Sequence, residues 1–307
     1  MSTSRINDII KTHSIDGINL NVNLVSGKCA FTTNIINIFK DTYNISIDLN
    51  YIGDDTFSFF NFHLGPHLRL SINEYIRLMG NVVYYFDGND IKHDGYKYYD
   101  ETVNNDTIWY FKFFDGIDLK AKYVLSSSTI ILFDNLGNYK EYVRSNNEYE
   151  IFLLKKIVYI GKNNNYKIEK VLTYDEDDRI SRIYDSRRPS YYIKFLYNEN
   201  NYIEKICYET SYKTYGVILN YDEAGNVCAI RRIANTDTYL SHVFKYEDSK
   251  LVQIINARSL ESLKISYNND PQDGYKIAKI EEGYVNKKIF AFKSTIYANE
   301  ENTRNRS

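Results

Sequence analysis

Proline is nearly absent from this chain of 307 residues, which has only Pro66, Pro189 and Pro271. No stretch rich in Pro, Gly or Ser separates one part of the chain from another, so composition marks no flexible linker. Cysteine is scarce as well. Cys29, Cys207 and Cys228 are odd in number, far apart and free of any CxxC spacing, which argues against a disulfide framework or a zinc ribbon. They are expected to be buried or half-buried thiols in a reducing compartment. Neither sign of charge dominates: 38 Lys+Arg face 40 Asp+Glu, a formal net charge of -2. That balance argues against a nucleic-acid binder working by broad phosphate neutralisation, and against a polybasic membrane-surface protein. Long apolar runs are missing too. The N-terminus MSTSRINDIIKTHS lacks the core of a signal peptide, and the stretch from Ile151 to Ile160 is interrupted by Lys155 and Lys156. The chain reads as soluble and leaderless, made in the cytoplasm, with any export by a leaderless route.

What the chain has in quantity is aromatic residues, 16% of the total, with 31 Tyr and 16 Phe. Together with Ile and Val they favour a pleated, half-buried surface. Segments such as NVVYYFDGND, DTIWYFKFFDG and STIILFDNLGN are apolar runs bounded by Asn, Asp and Gly. They read as strands and turns. Helical period is confined to residues 5–12, after an N-cap at Ser4, and to a turn near 259–264.

An internal repeat organises the second half. An aromatic followed by Asp, Asn or Glu recurs as Phe133-Asp134, Tyr174-Asp175, Tyr197-Asn198, Tyr221-Asp222, Tyr246-Glu247 and Tyr267-Asn268. From Tyr174 onward the aromatics are 23, 24, 25 and 21 residues apart. Apolar residues follow six and nine positions later, as in Ile180 and Ile183, Ile203 and Ile206, Val227 and Ile230. The Tyr246 copy is one residue shorter, with Leu251 and Ile254, and the Tyr267 copy reaches Ile277 and Ile280 through a longer turn. A strand ending in the aromatic, an Asx turn and a returning strand account for this pattern. Gly137 and Gly225 fall where a left-handed backbone lets the chain reverse. Each hairpin is too small to be stable alone, so the copies are expected to share one sheet with their aromatics as cross-strand neighbours. The two apolar positions are three apart and would face opposite sides of a flat strand. Either both faces are partly covered or a bulge intervenes.

The segments VLTYDEDDRISRIYD and ILNYDEAGNVCAIRRI resemble the YD repeat of the rearrangement-hotspot (RHS) and insecticidal toxin-complex proteins. The degenerate IKFLYNENNYIEKI and VFKYEDSKLVQI do so as well, and VNLVSGKCAFTTNIINI, ISIDLNY and FHLGPHLRLSI resemble the segments that open such proteins. The resemblance covers residues 17 to about 293. It implies an all-β fold, a continuous antiparallel sheet of YD-type hairpins in an open or partial spiral shell. Its divisions are an N-terminal module over 1–80 (a short helix, then strands), the repeat sheet over 81–297 and a polar tail over 298–307. It also implies a non-catalytic structural role, as a shell segment that scaffolds or partly encloses a partner. The chain is far shorter than a whole shell and lacks the DPxGL-type segment at which family members cleave themselves.

Chemistry finds little purchase in the residues. His63 and His67 have a four-residue spacing, but Gly65 and Pro66 between them forbid the helix such a metal site needs. No GxSxG and no Gly-rich phosphate loop is present. Asp134, Asp175, Asp185 and Asp222 recur with the turns, whereas a catalytic pair is needed once. Arg179, Arg182, Arg187 and Arg188, with Arg231 and Arg232, are expected on a solvated face among acids. No catalytic residue, cofactor or metal is therefore expected. The expected partner is a protein, or a second copy joined through an open sheet edge near residues 287–297, with Phe290, Phe292 and Ile296 turned inward. The alternative is a surface module that binds carbohydrate through exposed tyrosines.

Overall fold

The computed structural model describes residues 10–23, 28–40, 43–53, 60–115, 117–161, 167–210, 212–270, 274–285 and 293–296. Among them there is no helix, and every strand pairing is antiparallel. Residues 10–12, placed in a helix by their spacing, instead open a strand, and residues 5–9 lie outside the described set. The expected helical turn at 259–264 is likewise a turn that runs into a strand at Glu261. In both places a few residues of helical period were outweighed by the ladder bonds a neighbouring strand offers.

Five strands form a first sheet: β1 (Ile10–Ile15), β2 (Ile18–Asn23), β3 (Cys29–Lys40), β4 (Tyr43–Ile52) and β5 (Leu68–Leu70), in that order. The alternation in β2 shows why: Ile18, Leu20 and Val22 are buried, and Asn19, Asn21 and Asn23 face water.

The second sheet begins with β6 (Tyr75–Met79), β7 (Val82–Phe86), β8 (Lys92–Val103), β9 (Asp106–Phe113), β10 (Leu119–Val124), β11 (Thr129–Asp134), β12 (Tyr139–Arg144) and β13 (Ile151–Ile160). Each pairs with the next, and β13 returns to β6 through Ile151↔Arg77, Phe152↔Ile76 and Leu153↔Tyr75. Eight strands thus close a ring. A ring of that size is just wide enough for side chains to fill. Here Ile76, Tyr85, Phe111, Leu132, Tyr142 and Leu154 fill it. The outside of the junction is sealed by Phe60 and Phe62, which pack on Tyr75.

The sheet does not stop at closure. The far half of β13, Lys156 to Ile160, pairs with β14 (Lys167–Tyr174). One strand therefore gives one end of its edge to β6 and the other to β14, so the sheet continues as a spiral. It runs on through β15 (Ile180–Asp185), β16 (Tyr192–Tyr197), β17 (Ile203–Glu209), β18 (Thr214–Tyr221), β19 (Val227–Ala234), β20 (Asp237–Glu247), β21 (Lys250–Asn256), β22 (Glu261–Asp270), β23 (Gly274–Tyr284) and β24 (Lys293–Ile296). Of the expected edge strand at 287–297, residues 293–296 pair with β23; the rest, and the side chains of Phe290, Phe292 and Ile296, lie outside what is described.

The first sheet lies on the face of β18–β23 that carries the repeat residues. Phe31 stacks on Phe244 at 5.4 Å and on Tyr51 at 5.2 Å. Asn256 donates to Asp16, His13 contacts Glu282, and Arg232 donates to the carbonyls of Asn34 and Ile35. Both sheets contribute to one hydrophobic core. The three cysteines are free: Cys29 and Cys207 are buried and Cys228 is half-buried. Burial pushes the Cys29 thiol up to about 12 and the Cys207 thiol up to about 11.

Candidate functional site

The repeat residues converge on a bulge. In the Tyr174 copy, Tyr174 pairs with Ile180 and Thr173 with Arg182, so Ser181 is left without a partner. The same break leaves out Glu204, Cys228, Val252 and Ala278 in the copies of Tyr197, Tyr221, Tyr246 and Tyr267. One extra residue turns the two apolar positions to the same side. Ile180 and Ile183 are both buried, as are Ile203 and Ile206, Val227 and Ile230, Leu251 and Ile254, and Ile277 and Ile280.

The bulge also explains the tyrosine. It turns a carbonyl out of the ladder, and a carbonyl without a donor is costly when covered. The hydroxyl of Tyr197 donates to the Ile180 carbonyl at 2.8 Å, and that of Tyr221 to Ile203 at 2.7 Å. Tyr246 donates to Val227 at 3.2 Å and Tyr267 to Leu251 at 2.8 Å. Tyr174 donates to Leu154 at 2.8 Å, and Leu154 precedes Lys155, which a register break in β13 leaves out. In each case the acceptor is the residue just before a bulge in the preceding hairpin. The tyrosines are thus not direct cross-strand neighbours: each pairs with an apolar residue in its own hairpin and reaches back to the one before. Burial holds all five phenols well above the usual tyrosine range.

The Phe133 copy departs from this. Phe133 pairs with Tyr139 without a bulge, so Tyr142 is buried while Tyr139 is half-exposed, and phenylalanine has no hydroxyl to donate. Its turn is nevertheless that of the others. Asp134 Oδ1 accepts from Leu136 N and Asn138 N, Asp175 Oδ1 from Asp177 N and Arg179 N, and Asn198 Oδ1 from Asn200 N and Tyr202 N. Asp222 Oδ1 accepts from Asn226 N at 2.8 Å. The left-handed position falls on Gly137, Asp178, Asn201 and Gly225. Asp178 does more there: buried, it accepts from Ser145 Oγ at 2.6 Å and Asn147 N at 2.9 Å, fastening its turn to the loop before β13.

Gly225 has φ +82°, and a Cβ there would lie 2.5 Å from the Tyr202 hydroxyl, whose ring stacks on Tyr221 at 4.7 Å. Gly225→Val is therefore expected to cost about 3 kcal/mol, from the left-handed backbone and the displaced ring. Asp222→Ala is expected to cost about 1 kcal/mol. Urea unfolding of the three proteins checks this; identical midpoints would contradict the turn assignment.

A second polar constellation, invisible in the sequence, sits inside the ring. Glu74 accepts from Tyr85 Oη at 3.0 Å, Tyr142 Oη at 2.9 Å and Lys140 Nζ at 2.7 and 2.8 Å. Burial and the carboxylate raise the phenols of Tyr85 and Tyr142. The network joins the start of the spiral to the strand beside its closure. Its donors converge on a carboxylate of the chain itself, which makes it a latch.

The remaining sequence candidates are dispersed. His63 meets Tyr197 edge-on at 5.8 Å and its carbonyl accepts from Ile203 N, whereas His67 lies 5.9 Å from Tyr51. Among the described residues no group of three His, Cys, Asp or Glu could hold a metal. Arg179 pairs with Asp175 and Asp177, Arg187 pairs with Asp185, and Arg182 lies 4.6 Å over Tyr192. No helix among the described residues is long and apolar enough to cross a membrane, which says nothing of β-barrels.

No family model matches the chain, and no curated protein matches it. Solved structures similar to it include the crystal structure of TcdB2-TccC3, at 12% identity and a TM-score of 0.43 over 89% of this chain and 16% of that one. The same assembly without its hypervariable C-terminal region gives 11% identity and a TM-score of 0.35 over 90% and 15%. TcdB2-TccC3-Cdc42 gives 11% and 0.36 over the same shares. The chain spans about one sixth of the length of these structures.

Proposed function

We propose that this chain is a non-catalytic structural and interaction protein of the RHS and toxin-complex kind, acting as a scaffold. The observation that carries the reading is where the repeat residues direct their polar atoms. Their carboxylates and amides accept from their own turns, and their hydroxyls donate to backbone carbonyls one hairpin away. Both uses build the sheet.

The shell-segment reading needs one adjustment to fit this geometry. The ring is filled by side chains, and the repeat face of β18–β23 is covered in large part by the chain's own first sheet. What the spiral encloses is part of itself, so a partner protein meets an edge or an outer face. One such edge is the end of β8. Among the described residues, 99–103 pair with β9 alone, a register break leaves Tyr98 out of that ladder, and Tyr98, Tyr99 and Val103 are exposed. An edge of that kind accepts an added strand.

The test is size by light scattering, alone and with each protein encoded beside this one, for the wild type and Tyr98→Lys. A defined complex weakened by the substitution is expected. A wild-type chain that stays monomeric with every such protein would refute the proposal.

A further inference from the structure

The first sheet covers the repeat face incompletely. Beyond β3 that face stays open as a groove of about 570 Å³ between β3 and strands β17 to β20. Pairing places its residues in neighbouring rows: Tyr208 opposite Tyr215, Tyr215 opposite Ala234, and Arg232 opposite Tyr239. Side chains paired across a sheet share a face, so the aromatic rings and the guanidinium look into the same space. Tyr215 and Tyr239 are 41% and 40% exposed, which leaves ring surface open to a ligand. The small Ala234 beside Tyr215 keeps the floor low.

Arg232 sets the charge of the groove. Its guanidinium donates through Nη2 to the Asn34 carbonyl at 2.8 Å and through Nη1 to the Ile35 carbonyl at 3.2 Å. Both acceptors are neutral. Arg77, Arg179 and Arg187 each meet a carboxylate, but among the described residues none pairs with Arg232, and none lines the groove. A second cation, Arg258, lies 5.6 Å over the Tyr239 ring. The groove is thus aromatic, positively charged and fixed in position by backbone contacts.

We propose that this groove binds an acidic oligosaccharide. A sugar ring would stack its C–H face on Tyr215 or Tyr239 while its carboxylate meets the remaining donors of Arg232. The amide of Asn37 at the rim suits the hydroxyls of a neighbouring sugar unit. The exposed ring surface of Tyr215 and Tyr239 along a shallow groove favours a saccharide over an acidic peptide without aromatic side chains, which would bring no flat apolar face to it. This site does not depend on the scaffold role and is compatible with it.

The test is calorimetric titration of the whole chain with sialyllactose, hexagalacturonate and a heparin hexasaccharide, beside lactose, maltohexaose and a polyglutamate peptide. At least one acidic saccharide is expected to bind saturably, about tenfold or more tighter than the neutral ones. Tyr215→Ala and Tyr239→Ala should each weaken it about tenfold, while Tyr215→Phe, which keeps the ring, should leave it unchanged. Arg232→Gln should abolish the preference for acid. Unfolding midpoints of the tyrosine variants should match the wild type, which keeps the test valid should Arg232→Gln fold poorly. Binding to none of the saccharides would overturn the proposal. So would equal binding of neutral ones, tighter binding of polyglutamate, or binding indifferent to both alanine substitutions.

Discussion

Above about pH 10 the protein is expected to unfold in one cooperative step, with its buried tyrosines ionising only as the strands are lost. Burial raises the phenols of Tyr174, Tyr197, Tyr221, Tyr246 and Tyr267, and burial with the neighbouring Glu74 raises those of Tyr85 and Tyr142. In the unfolded chain the same groups lose their protons near pH ~10. Above that pH the unfolded state binds fewer protons than the folded one, so stability falls as pH rises. The contribution is fully present below about pH 10 and is lost on the way up. Each group gives up about 1.4 kcal/mol per pH unit, so seven together remove roughly 10 kcal/mol by about pH 11. That is comparable with the whole stability of an ordinary domain. Tyrosinate absorbance followed beside far-ultraviolet circular dichroism checks it. A single titration of all the tyrosines near pH ~10 with the sheet unchanged would contradict the assignment.

Glu74→Ala should destabilise the protein by about 3–5 kcal/mol, because it removes the one acceptor shared by two buried hydroxyls and a half-buried ammonium. Glu74→Gln keeps an acceptor but loses the charge, and should cost about 2 kcal/mol. The damage should be local first. Glu74 stands just before β6, the strand that closes the ring against β13, so amides of β6 should exchange fastest in the alanine variant. A loss below about 1 kcal/mol, or exchange unchanged at β6, would show that the ring closes without the latch.

The turns were legible in the sequence because an Asx turn is a local device. Asp134, Asp175, Asn198 and Asp222 reach backbone groups two to four residues away, and spacing alone announces them. The bulge was half legible. The three-residue step from Ile180 to Ile183 demanded either a bulge or two covered faces, and only the pairing decides between them. The tyrosine bonds could not be read. Each spans 16 to 20 residues to a carbonyl, and a carbonyl carries no residue identity. The missing hydroxyl of Phe133 was a clue that its copy differs.

The latch shows the same limit at longer range. Glu74 meets partners 11, 66 and 68 residues away, so no local spacing predicts it. Nor does composition announce that the first sheet lies on the repeat face. The alternation of β2 reveals an apolar side, but what covers that side is settled by contacts such as Phe31 on Phe244. The groove follows from the same placement, since Tyr208, Tyr215 and Tyr239 become one surface only where β3 stops covering them.

The tyrosine-to-carbonyl ladder is the central claim, and hydroxyl-proton NMR on tyrosine-labelled protein tests it most directly. A buried, bonded phenol proton exchanges slowly enough to be seen, and one open to water does not. Slowly exchanging hydroxyl resonances are expected for Tyr174, Tyr197, Tyr221, Tyr246 and Tyr267. Each should be assigned by the loss of one signal in the matching Tyr→Phe variant, and each should show a proton–proton contact to the residue whose carbonyl accepts it. Tyr221→Phe should erase the signal near Ile203 and leave the one near Ile180. If these five hydroxyls exchange as fast as that of the exposed Tyr212, the ladder does not exist and the repeat is held together in some other way.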